Sequence, residues 1–360
     1  MTANDVTMPA EGDEPRPAGE ITWQDGNVPF SPHFGDIYFN PKDGLAETRY
    51  VFLEGNNLPS AWQNRESFAI GETGFGTGLN FLAAWQSWNS DLKRSRRLHF
   101  VSVEKYPLSR DDMIRAHQSW PELSQYSKQL AEIWPHETML PGVHRFSLAH
   151  GNVSLTLLIG DAIECWSDYD GNIDCWFLDG FAPSRNPDMW HPHLFAALAG
   201  ASNPRGASLA TFTAARIARD GLESAGFEIS KRKGFGYKRD MITATLPAPN
   251  VDNDNTLGLF EIADDPWFNL PRPKKTKSVA VIGGGLAGAA CADALNARGL
   301  AVTLFEKADQ LASAASGNPI GMLEPYLTVD DAIMGRFYEA GYRFSHRKIK
   351  KLSNQGLVEA

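Results

Sequence analysis

The sequence predicts an α/β protein with a mostly parallel, doubly wound sheet that ends in an antiparallel hairpin, followed by the start of a second βαβ unit. Two observations lead to this prediction. Strand-like apolar runs alternate with helix-like segments from about residue 67 to residue 246, which is the order expected of a parallel sheet covered by helices on both faces. A second alternation begins at Val279, where a strand-like run leads directly into a glycine-rich turn.

The composition is that of a globular protein with an acidic balance. Of the 360 residues, 42% are hydrophobic and 21% are charged, and the formal net charge is -9. These fractions are ordinary for a folded domain. The negative charge argues against a strongly basic nucleic-acid coat, although basic clusters such as KRSRR and HRKIKK allow a local basic patch.

The sequence shows no membrane or secretion signal. It contains no uncharged apolar run of the roughly 18 residues that a membrane helix needs, and its acidic, proline-rich beginning does not look like a signal peptide. Three cysteines without a CxxC spacing argue against disulfide or zinc sites, and the histidines of WHPH are interpreted as exposed side chains at a helix start. We therefore expect a cytoplasmic protein with no metal and no membrane contact, and take a monomer as the default.

Four segments are expected along the chain. Residues 1–20 are predicted to be a disordered tail, because they are acidic and rich in proline. Residues 21–247 form the first folded domain. Residues 248–276 are polar and proline-rich and are interpreted as a linker. Residues 277–360 begin the second domain.

The first domain is predicted to contain strands and helices in regular order. Residues 34–56 are interpreted as two strands around a PKDG turn, and residues 108–133 as one long helical region. A doubly wound sheet that closes with a hairpin is the Rossmann-like arrangement of class I methyltransferases, which is an analogy of fold order alone. The other elements are, in chain order, the strand SFAI, the helix LNFLAAWQSW, the strands RLHFVSVEK, VSLTLLIGDA and DCWFLDG, the helix PDMWHPHLFAALAG, the strand GASLATF, the helix AARIARDGLESAG and the hairpin of FEISKRKGF and YKRDMITATL.

The glycine-rich turn of the second domain has the pattern of a dinucleotide site. Gly283, Gly285 and Gly288 match GxGxxG between the strand SVAVI and a helix, and Glu306 ends the next strand 18 residues after Gly288. The glycines allow a tight turn, close approach to a pyrophosphate and close helix packing, while the helix N-terminus offers free N–H groups. Glu306 is placed to accept hydrogen bonds from both ribose hydroxyls, so this turn predicts a flavin or nicotinamide dinucleotide.

The glycine-rich turn of the first domain carries an acid inside it. Glu72 precedes three alternating glycines, Gly74, Gly76 and Gly78. A carboxylate at this point would repel the phosphates of a dinucleotide. It would attract the ammonium and sulfonium groups of S-adenosylmethionine, which has no phosphate. The sequence therefore favours S-adenosylmethionine at this turn.

Further acids end the neighbouring strands. Glu104 is expected to bind a ribose, and Asp161 is placed to accept a hydrogen bond from an adenine amino group. Because the carboxyl ends of parallel strands meet at one edge of the sheet, Glu72, Glu104 and Asp161 are expected to line one crevice. The adjacent residues Lys105 and Ala162 are included in the predicted cofactor site.

Asp179 is expected to be the catalytic residue, because it follows the apolar strand CWFL and so points into the same crevice. A carboxylate is too weak a base to remove a proton outright from an amine with a lysine-like pKa. It can accept an N–H bond, orient the nitrogen and stabilise the developing ammonium. Phe181 and Pro183 are expected to shape a flat pocket for a nucleic-acid base beside Asp179.

Several long strings together resemble the MnmC family of bifunctional tRNA 5-methylaminomethyl-2-thiouridine biosynthesis proteins. The resemblance spans roughly residues 20 to 350 and also includes DGLAETRYVFLEGN and SGNPIGMLEPYL. Chance similarity to so many unusual strings is not expected. The strings that carry it are GETGFGTGLNFLAAW, LHFVSVEKYPL, CWFLDGFAPSRNPDMW, ATFTAAR and GFGYKRDM.

The resemblance implies two activities on the wobble uridine of tRNA. A flavin domain uses FAD to remove the carboxymethyl group of 5-carboxymethylaminomethyluridine. A methyltransferase domain then uses S-adenosylmethionine to methylate the aminomethyl group of 5-aminomethyl-2-thiouridine. The expected partner is therefore tRNA, with the target base turned out of its stack. Lys238 and Arg239, beside the GFG of the last hairpin, are expected to contact the tRNA backbone.

The sequence departs from the family pattern at two positions and in length. Arg216 stands where the family has a glycine, and Asp220 where a basic residue is common. Only about 80 residues follow Gly283, so we expect a complete methyltransferase joined to an incomplete flavin domain. Two alternatives stay open: a flavin oxidoreductase that acts on an amine, and a non-catalytic protein that binds tRNA.

Overall fold

The fold begins with a small sheet and a helix that cover one side of the main domain. The computed structural model describes residues 20–24, 27–135, 139–248, 276–325 and 333–358. The predicted tail and almost all of the predicted linker lie outside these residues. The first elements are the antiparallel strands β1 (Thr22–Gln24), β2 (Val28–Ser31) and β3 (Asp36–Ile37), followed by helix α1 (Gly44–Thr48).

The segment ETRYVFLEGN, predicted as the second strand of a hairpin, is helical instead. Asp43 caps α1 by accepting a hydrogen bond from the backbone N–H of Ala46 at 2.8 Å. The chain continues directly into a π-helical turn, Arg49–Leu53, and a 3-10 turn, Glu54–Asn56. The apolar run at Val51 to Leu53 is buried on every side, and a short run of this kind does not distinguish a strand from a buried helix.

An eight-stranded sheet forms the centre of the main domain and confirms the predicted fold class. Its order is β10-β11-β9-β8-β4-β5-β7-β6, and the five strands from β9 to β7 are parallel. The hairpin of β10 and β11 is antiparallel, as predicted, and β6, which the sequence analysis missed, pairs antiparallel with β7 at the other edge. The strands are β4 (Ser67–Glu72), β5 (Arg97–Glu104), β6 (Gly142–Leu148), β7 (Val153–Ile159), β8 (Cys175–Phe177), β9 (Ala207–Thr211), β10 (Glu228–Lys233) and β11 (Asp240–Leu246).

Helices cover both faces of this sheet. The predicted long helix over 108–133 is in fact two helices, because Pro121 lacks the N–H that a continuous helix needs and starts a 3-10 turn, Pro121–Leu123. One apolar cluster packs around Trp85 and Phe100, and a second packs around Trp176 and Phe195. The helices are α2 (Leu79–Ser90), α3 (Arg110–His117), α4 (Ser124–Ile133), α5 (Ala162–Ser167), α6 (Pro192–Ala201) and α7 (Arg216–Ser224), with further 3-10 turns at Ser60–Trp62, Ala149–Gly151 and Pro187–Trp190.

The second unit is a small βαβ arrangement, as the sequence predicts. Strands β12 (Ser278–Ile282) and β13 (Ala301–Phe305) pair in parallel, with helix α8 (Leu286–Ala297) between them and a 3-10 turn, Ala315–Gly317, after them. Apolar side chains on this unit are open to solvent, including Ile282 at 88% exposure. No helix in the described part of the chain is long and apolar enough to cross a membrane.

The last helix, α9 (Ile333–Asn354), lies against the edge strand β6 of the main sheet. Arg343 donates a hydrogen bond to the carbonyl of Leu140 at 3.3 Å, and Arg347 donates to the carbonyl of Arg145 at 3.4 Å. The guanidinium of Arg347 also lies 4.8 Å from the ring centroid of Phe146. The helix therefore covers the outer side of β6 with two arginines that reach across it.

Candidate active site

The glycine turn after β4 forms the edge of the site. Gly78 stands at the N-terminus of α2 with a φ of +76°, a left-handed conformation that favours glycine. A β-carbon there would also lie 2.8 Å from the ring of Phe75. Phe75 donates a backbone hydrogen bond to Val103 of β5 at 3.0 Å. The turn is thereby held against the neighbouring strand while the start of α2 faces the cavity.

A cavity of about 480 Å³ opens at the carboxyl ends of β4, β5, β7 and β8. Most of the predicted site residues line it, but Glu72 and Gly78 do not. Pro183 and Arg239 line a second, more open groove next to it, and Lys238 lines both. The predicted residues that line the main cavity are Gly74, Gly76, Glu104, Lys105, Asp161, Ala162, Asp179, Phe181 and Lys238.

Glu72 lies behind the cavity rather than on its surface, which corrects its predicted role. Its carboxylate is fully buried and accepts hydrogen bonds from Asn80 Nδ2 at 2.9 Å and Ser102 Oγ at 2.6 Å. Burial raises the pKa of Glu72 well above its usual range. Because the side chain is buried behind the cavity and does not line it, the expected repulsion of phosphates at the cavity surface does not follow.

Glu104 connects the glycine turn to the end of β5. Its Oε2 accepts a hydrogen bond from the backbone N–H of Gly76 at 2.8 Å, and its Oε1 accepts one from Tyr106 at 2.8 Å. Burial raises the pKa of Glu104, and these backbone bonds partly oppose that effect. A carboxylate has about four acceptor positions, so Glu104 can accept a ribose hydroxyl in addition to these backbone bonds.

Asp161 and Lys105 form an ion pair between the ends of β7 and β5. Asp161 Oδ2 lies 3.1 Å from Lys105 Nζ, and Oδ1 caps α5 by accepting a hydrogen bond from Ile163 N at 3.0 Å. Burial acts to raise the pKa of Asp161, but Lys105 and the helix N–H groups outweigh it and lower the pKa. Asp161 therefore stays ionised and presents acceptors to the cavity.

Asp179 is held by three donors at the floor of the cavity. Its Oδ2 accepts a hydrogen bond from Asn80 Nδ2 at 2.6 Å, and its Oδ1 accepts one from Gly180 N at 2.8 Å. Its backbone N–H donates to Thr73 Oγ1 at 3.0 Å, and the Thr73 hydroxyl in turn donates to the Asp179 carbonyl. Burial raises the pKa of Asp179 to about 6.

Asn80 is a functional residue that the sequence analysis missed. It is buried in the first turn of α2, and its side-chain oxygen accepts a hydrogen bond from Thr48 Oγ1 at 2.8 Å. The signal that could have identified it is a single polar residue between Leu79 and Phe81, in the apolar first half of the helix.

Aromatic side chains form one wall of the cavity. The ring of Phe181 lies 4.6 Å from that of Phe34 and 5.1 Å from that of Tyr38, measured between centroids. Phe34 and Tyr38 come from the small N-terminal sheet and the chain that follows it, which the sequence did not connect with the site. Phe181 is therefore part of the cavity wall, whereas Pro183 faces the adjacent groove.

Lys238 points into the site instead of lying free on the surface. Its Nζ lies 2.8 Å from Glu47 Oε1 and 4.6 Å from the ring centroid of Phe212. The neighbouring Arg239 has a side chain that is 96% exposed. Arg216 and Asp220, the two departures from the family pattern, form an ion pair of 3.0 Å with each other and line neither the cavity nor the groove.

The glycine turn of the second unit has the close packing of a dinucleotide cradle. A β-carbon on Gly288 would lie 1.8 Å from the carbonyl oxygen of Gly283, so only glycine fits there. Glu306 accepts hydrogen bonds from the N–H groups of Gly284 at 2.6 Å and Lys307 at 2.7 Å, and these bonds, together with one from Ala308, lower its pKa. Ser316, in the loop after β13, accepts a bond from the first N–H of α8. These residues fit a dinucleotide phosphate and ribose.

Comparisons with known families agree with these two sites. Residues 121–247 match a family described as S-adenosyl-L-methionine-dependent methyltransferases, and residues 278–357 match the FAD dependent oxidoreductases. The first match implies S-adenosylmethionine and the second implies FAD. The first matched segment includes Asp161 and Asp179 but not the glycine turn at residues 74–78, and the second includes the turn at Gly283 and Gly288 and Glu306.

Individual relatives extend the similarity across both units. The tRNA 5-methylaminomethyl-2-thiouridine biosynthesis bifunctional protein MnmC of Chromobacterium violaceum is 47% identical over 92% of this chain and 49% of its own length. The MnmC protein of Stutzerimonas stutzeri is 44% identical over the same shares. The crystal structure of MNMC2 from Aquifex aeolicus superposes with a TM-score of 0.50 at 22% identity, covering 65% of this chain and 73% of that one, which supports the fold. The chain spans about half the length of the bifunctional relatives.

Proposed function

Since the chain belongs to the MnmC family over the half of its relatives' length that it spans, we propose that residues 21–247 form a tRNA methyltransferase domain. The substrate proposed is the aminomethyl group of 5-aminomethyluridine or its 2-thio form at the wobble position, and the product is the methylaminomethyl form. Residues 248–276 are proposed to link this domain to a flavin-binding unit at 277–360.

The observation that carries the proposal is that Asp179 lines a cavity that shares a wall with an open groove, because Phe212 and Lys238 line both. On one side lies the cavity with the glycine turn, Glu104 and Asp161. On the other side lies the groove of Pro183, Phe212 and Lys238. A cofactor in the cavity and a base entering through the groove would therefore meet at Asp179.

Each part of the cavity has a task in this reaction. Bound S-adenosylmethionine supplies an electrophilic methyl group on its sulfonium sulfur. Gly74 and Gly76 leave room for it, while Glu104 and Asp161 offer carboxylate acceptors for its ribose and adenine. Glu72 supports the floor through Asn80.

Asp179 prepares the amine that receives the methyl group. An amine with a lysine-like pKa is mostly protonated at neutral pH, and exposing its lone pair costs about 4 kcal/mol. Once the amine has released one proton to solvent, Asp179 accepts an N–H bond from the neutral nitrogen, directs its lone pair towards the cofactor cavity and stabilises the ammonium that forms. The hydrogen bonds from Asn80 and Gly180 fix the carboxylate for this purpose.

The rim of the cavity has the features needed to hold single-stranded nucleic acid. Tyr237 lines the cavity yet is 83% exposed, and Lys42 Nζ lies 5.9 Å from its ring centroid. An exposed aromatic ring beside a cation is suited to stacking on a base next to a phosphate. Arg239, on the neighbouring groove, adds a further exposed cation.

A methyl-transfer assay tests the proposal. Purified chain is incubated with S-adenosylmethionine and tRNA that carries the bare aminomethyl group, and the tRNA is then digested to nucleosides and analysed by mass spectrometry. We expect the methylated nucleoside from the wild type, and about a hundredfold lower turnover from Asp179→Asn. Asparagine has the same shape but one acceptor oxygen, so it keeps one of the bonds from Asn80 and Gly180 and turns its NH₂ group towards the other donor. Glu104 and Asp161 are unchanged in this variant, so cofactor binding should persist.

The assay also separates the alternatives. No methylated nucleoside from a wild type that binds both S-adenosylmethionine and tRNA would contradict the proposed activity and favour a non-catalytic binding protein. Full turnover by Asp179→Asn would remove Asp179 from the mechanism. Both cofactor binding and tRNA binding are measured on the same preparations, so a folding defect is recognised.

The second unit is proposed to contribute the phosphate and ribose contacts of an FAD site. The observation that favours it is the fit of Gly288 against Gly283 together with the bonds of Glu306. Gly288→Val should therefore abolish any flavin that copurifies with the chain, while methyl transfer remains. Removal of the carboxymethyl group is the flavin activity that this family membership implies, and a flavin-loaded preparation tests it by loss of that group from the nucleoside.

A further inference from the structure

One ion pair inside the site has no part in the mechanism described so far. Glu47, on α1, and Lys238, on the β10–β11 turn, approach to 2.8 Å in the wall of the cavity. The side chain of Glu47 is only 13% exposed and that of Lys238 is 36% exposed. The Lys238 ammonium also lies over the ring of Phe212 at 4.6 Å. A carboxylate and an aromatic face together surround this ammonium group.

These contacts define the chemistry that the pocket binds. A carboxylate beside an aromatic face is a favourable environment for an alkylammonium, and partial burial strengthens both interactions. Asp179 lines the same cavity, and its pKa is affected by both partners: Glu47 raises it and Lys238 lowers it. The pocket thus combines two carboxyl groups, Asp179 and Glu47, with one ammonium group, Lys238. This arrangement can accept a further cation.

We propose that Glu47 and Phe212 form an ammonium-binding site beside Asp179, that Lys238 fills this site when no substrate is present, and that the aminomethyl group of the substrate displaces Lys238 from it. The proposal rests on the proposed function, because that function supplies an alkylammonium substrate. Two ammonium groups within one small pocket repel each other, so entry of the substrate favours departure of Lys238.

Lys238 has a place to move to. Its side chain already lines the open groove shared with Arg239 and Pro183. Gly236, two residues earlier in the same turn, has no heavy atom within 4 Å of the position a β-carbon would take. From the groove the displaced ammonium can contact a phosphate of the incoming nucleic acid. Lys238 would thus exchange one anionic partner for another when substrate binds.

Substitution of Lys238 tests the proposal, because the two possible roles of this residue predict opposite changes in the affinity for an alkylammonium probe. Binding of n-butylammonium, a minimal alkylammonium probe, is measured by calorimetry in the presence of S-adenosylmethionine for the wild type, Lys238→Met, Lys238→Gln, Glu47→Gln and Phe212→Leu. We expect both Lys238 variants to bind the probe about fivefold to tenfold more tightly, and the Glu47 and Phe212 variants to bind it about tenfold more weakly. In the tRNA assay, Glu47→Gln should raise KM more than it lowers kcat.

Arg239→Met is the matched control, because it removes a neighbouring cation that does not contact Glu47. It should leave the affinity for the probe unchanged and reduce the salt dependence of tRNA binding. Probe binding that is equal or weaker in both Lys238 variants would overturn the proposal, since Lys238 would then support the substrate from its present position. The probe measurement needs no methyl transfer, so this outcome differs from a failure of the proposed function, which the nucleoside assay reports.

Discussion

Asn80 joins two buried carboxylates through a single amide nitrogen, which lies 2.9 Å from Glu72 and 2.6 Å from Asp179. The orientation of this amide is fixed from its other end, because its oxygen accepts the hydroxyl hydrogen of Thr48 at 2.8 Å. Both N–H donors are therefore used on carboxylates. The acid in the glycine turn thus serves the site indirectly, by anchoring the residue that holds Asp179.

Removal of Asn80 should shift the pH dependence of methyl transfer. Asp179 works as a carboxylate, and burial raises its pKa to about 6, while the bond from Asn80 acts to lower it. The wild-type rate of methyl transfer should therefore fall more steeply below about pH 6. In Asn80→Ala this fall should begin at higher pH, so that at pH 6 the variant is about fivefold to tenfold slower than the wild type. The profile of kcat against pH at saturating cofactor measures the shift.

Ser102→Ala is the control for this experiment. It removes a donor from Glu72 but none from Asp179, so its acidic limb should stay at the wild-type position. An Asn80→Ala profile that superimposes on the wild-type profile would show that the amide does not influence the ionisation of Asp179.

Glu104→Gln should weaken the binding of S-adenosylmethionine. Both carboxylate oxygens accept backbone N–H bonds, from Gly76 and Tyr106. A glutamine offers one oxygen and one NH₂ group, so one backbone donor would face another donor. This mismatch is present in the free and the bound protein alike, so the effect on binding comes from the ribose, which loses a carboxylate acceptor. A hydrogen bond to a charged group is worth about 1.5–3 kcal/mol, and we expect about a tenfold or larger rise in the Kd measured by calorimetry. Lys105→Met, which removes a half-exposed cation from the same cavity, should change the Kd less; equal effects would contradict the assigned role of Glu104.

Tyr237 should contribute to tRNA binding and not to cofactor binding. Stacking of one base on an aromatic ring contributes about 1–3 kcal/mol, so Tyr237→Ala should raise the Kd for tRNA by about tenfold, while Tyr237→Phe should keep the wild-type value. A filter-binding titration at fixed salt concentration measures both variants. Equal loss in the Phe variant would point to the hydroxyl group rather than to the ring.

His117 should make the free energy of unfolding depend on pH. Its Nε2 bonds the carbonyl of Thr77 in the glycine turn at 2.7 Å, its Nδ1 bonds Ser127 Oγ at 2.7 Å, and burial lowers its pKa from 6.5 to about 4. Between pH 6.5 and pH 4 the imidazole of His117 binds a proton in the unfolded chain but stays neutral in the folded protein. Stability due to this group is therefore present above pH 6.5 and falls by about 3 kcal/mol as the pH is lowered through that window.

His117→Gln tests this dependence, because a glutamine keeps a donor for Thr77 and does not titrate. Denaturant unfolding at several pH values should give a flatter curve for the variant than for the wild type between pH 6.5 and pH 4. Parallel curves for the two proteins would exclude His117 as a source of the acid sensitivity.

Short sequence patterns were enough to predict several local features of the fold. The glycine turns at Gly78 and Gly288, the final hairpin and the ends of the parallel strands all depend on residues close together in the chain. The parallel sheet followed from the alternation of strands and helices, whereas the order of its strands was not predicted. Strand β6 was missed because one of its inward positions is the polar His144, which leaves only Phe146 and Leu148 to mark the alternation. Residues 45–56 were assigned to the wrong class because a short buried apolar run has no distinctive period.

The site was predicted less completely, because burial and long-range contacts decide what each side chain does. Glu72 lies next to the glycines in the sequence, but the fold buries its side chain behind the cavity, and no neighbouring residue indicates this. Lys238 was expected on the surface, but its partner Glu47 stands 191 positions away. Asn80 was overlooked since nothing nearby in the sequence indicates that Glu72 and Asp179 converge on it.

The arginines of α9 have a consequence for the solubility of the main domain. Strand β6 borders the sheet, and such a strand offers a template for pairing with another polypeptide. In the described structure Arg343 and Arg347 bind carbonyls at Leu140 and Arg145 and obstruct that template. A shortened protein that stops at residue 248 should therefore self-associate through β6, which light scattering measures. A charged residue introduced on that strand should prevent this self-association.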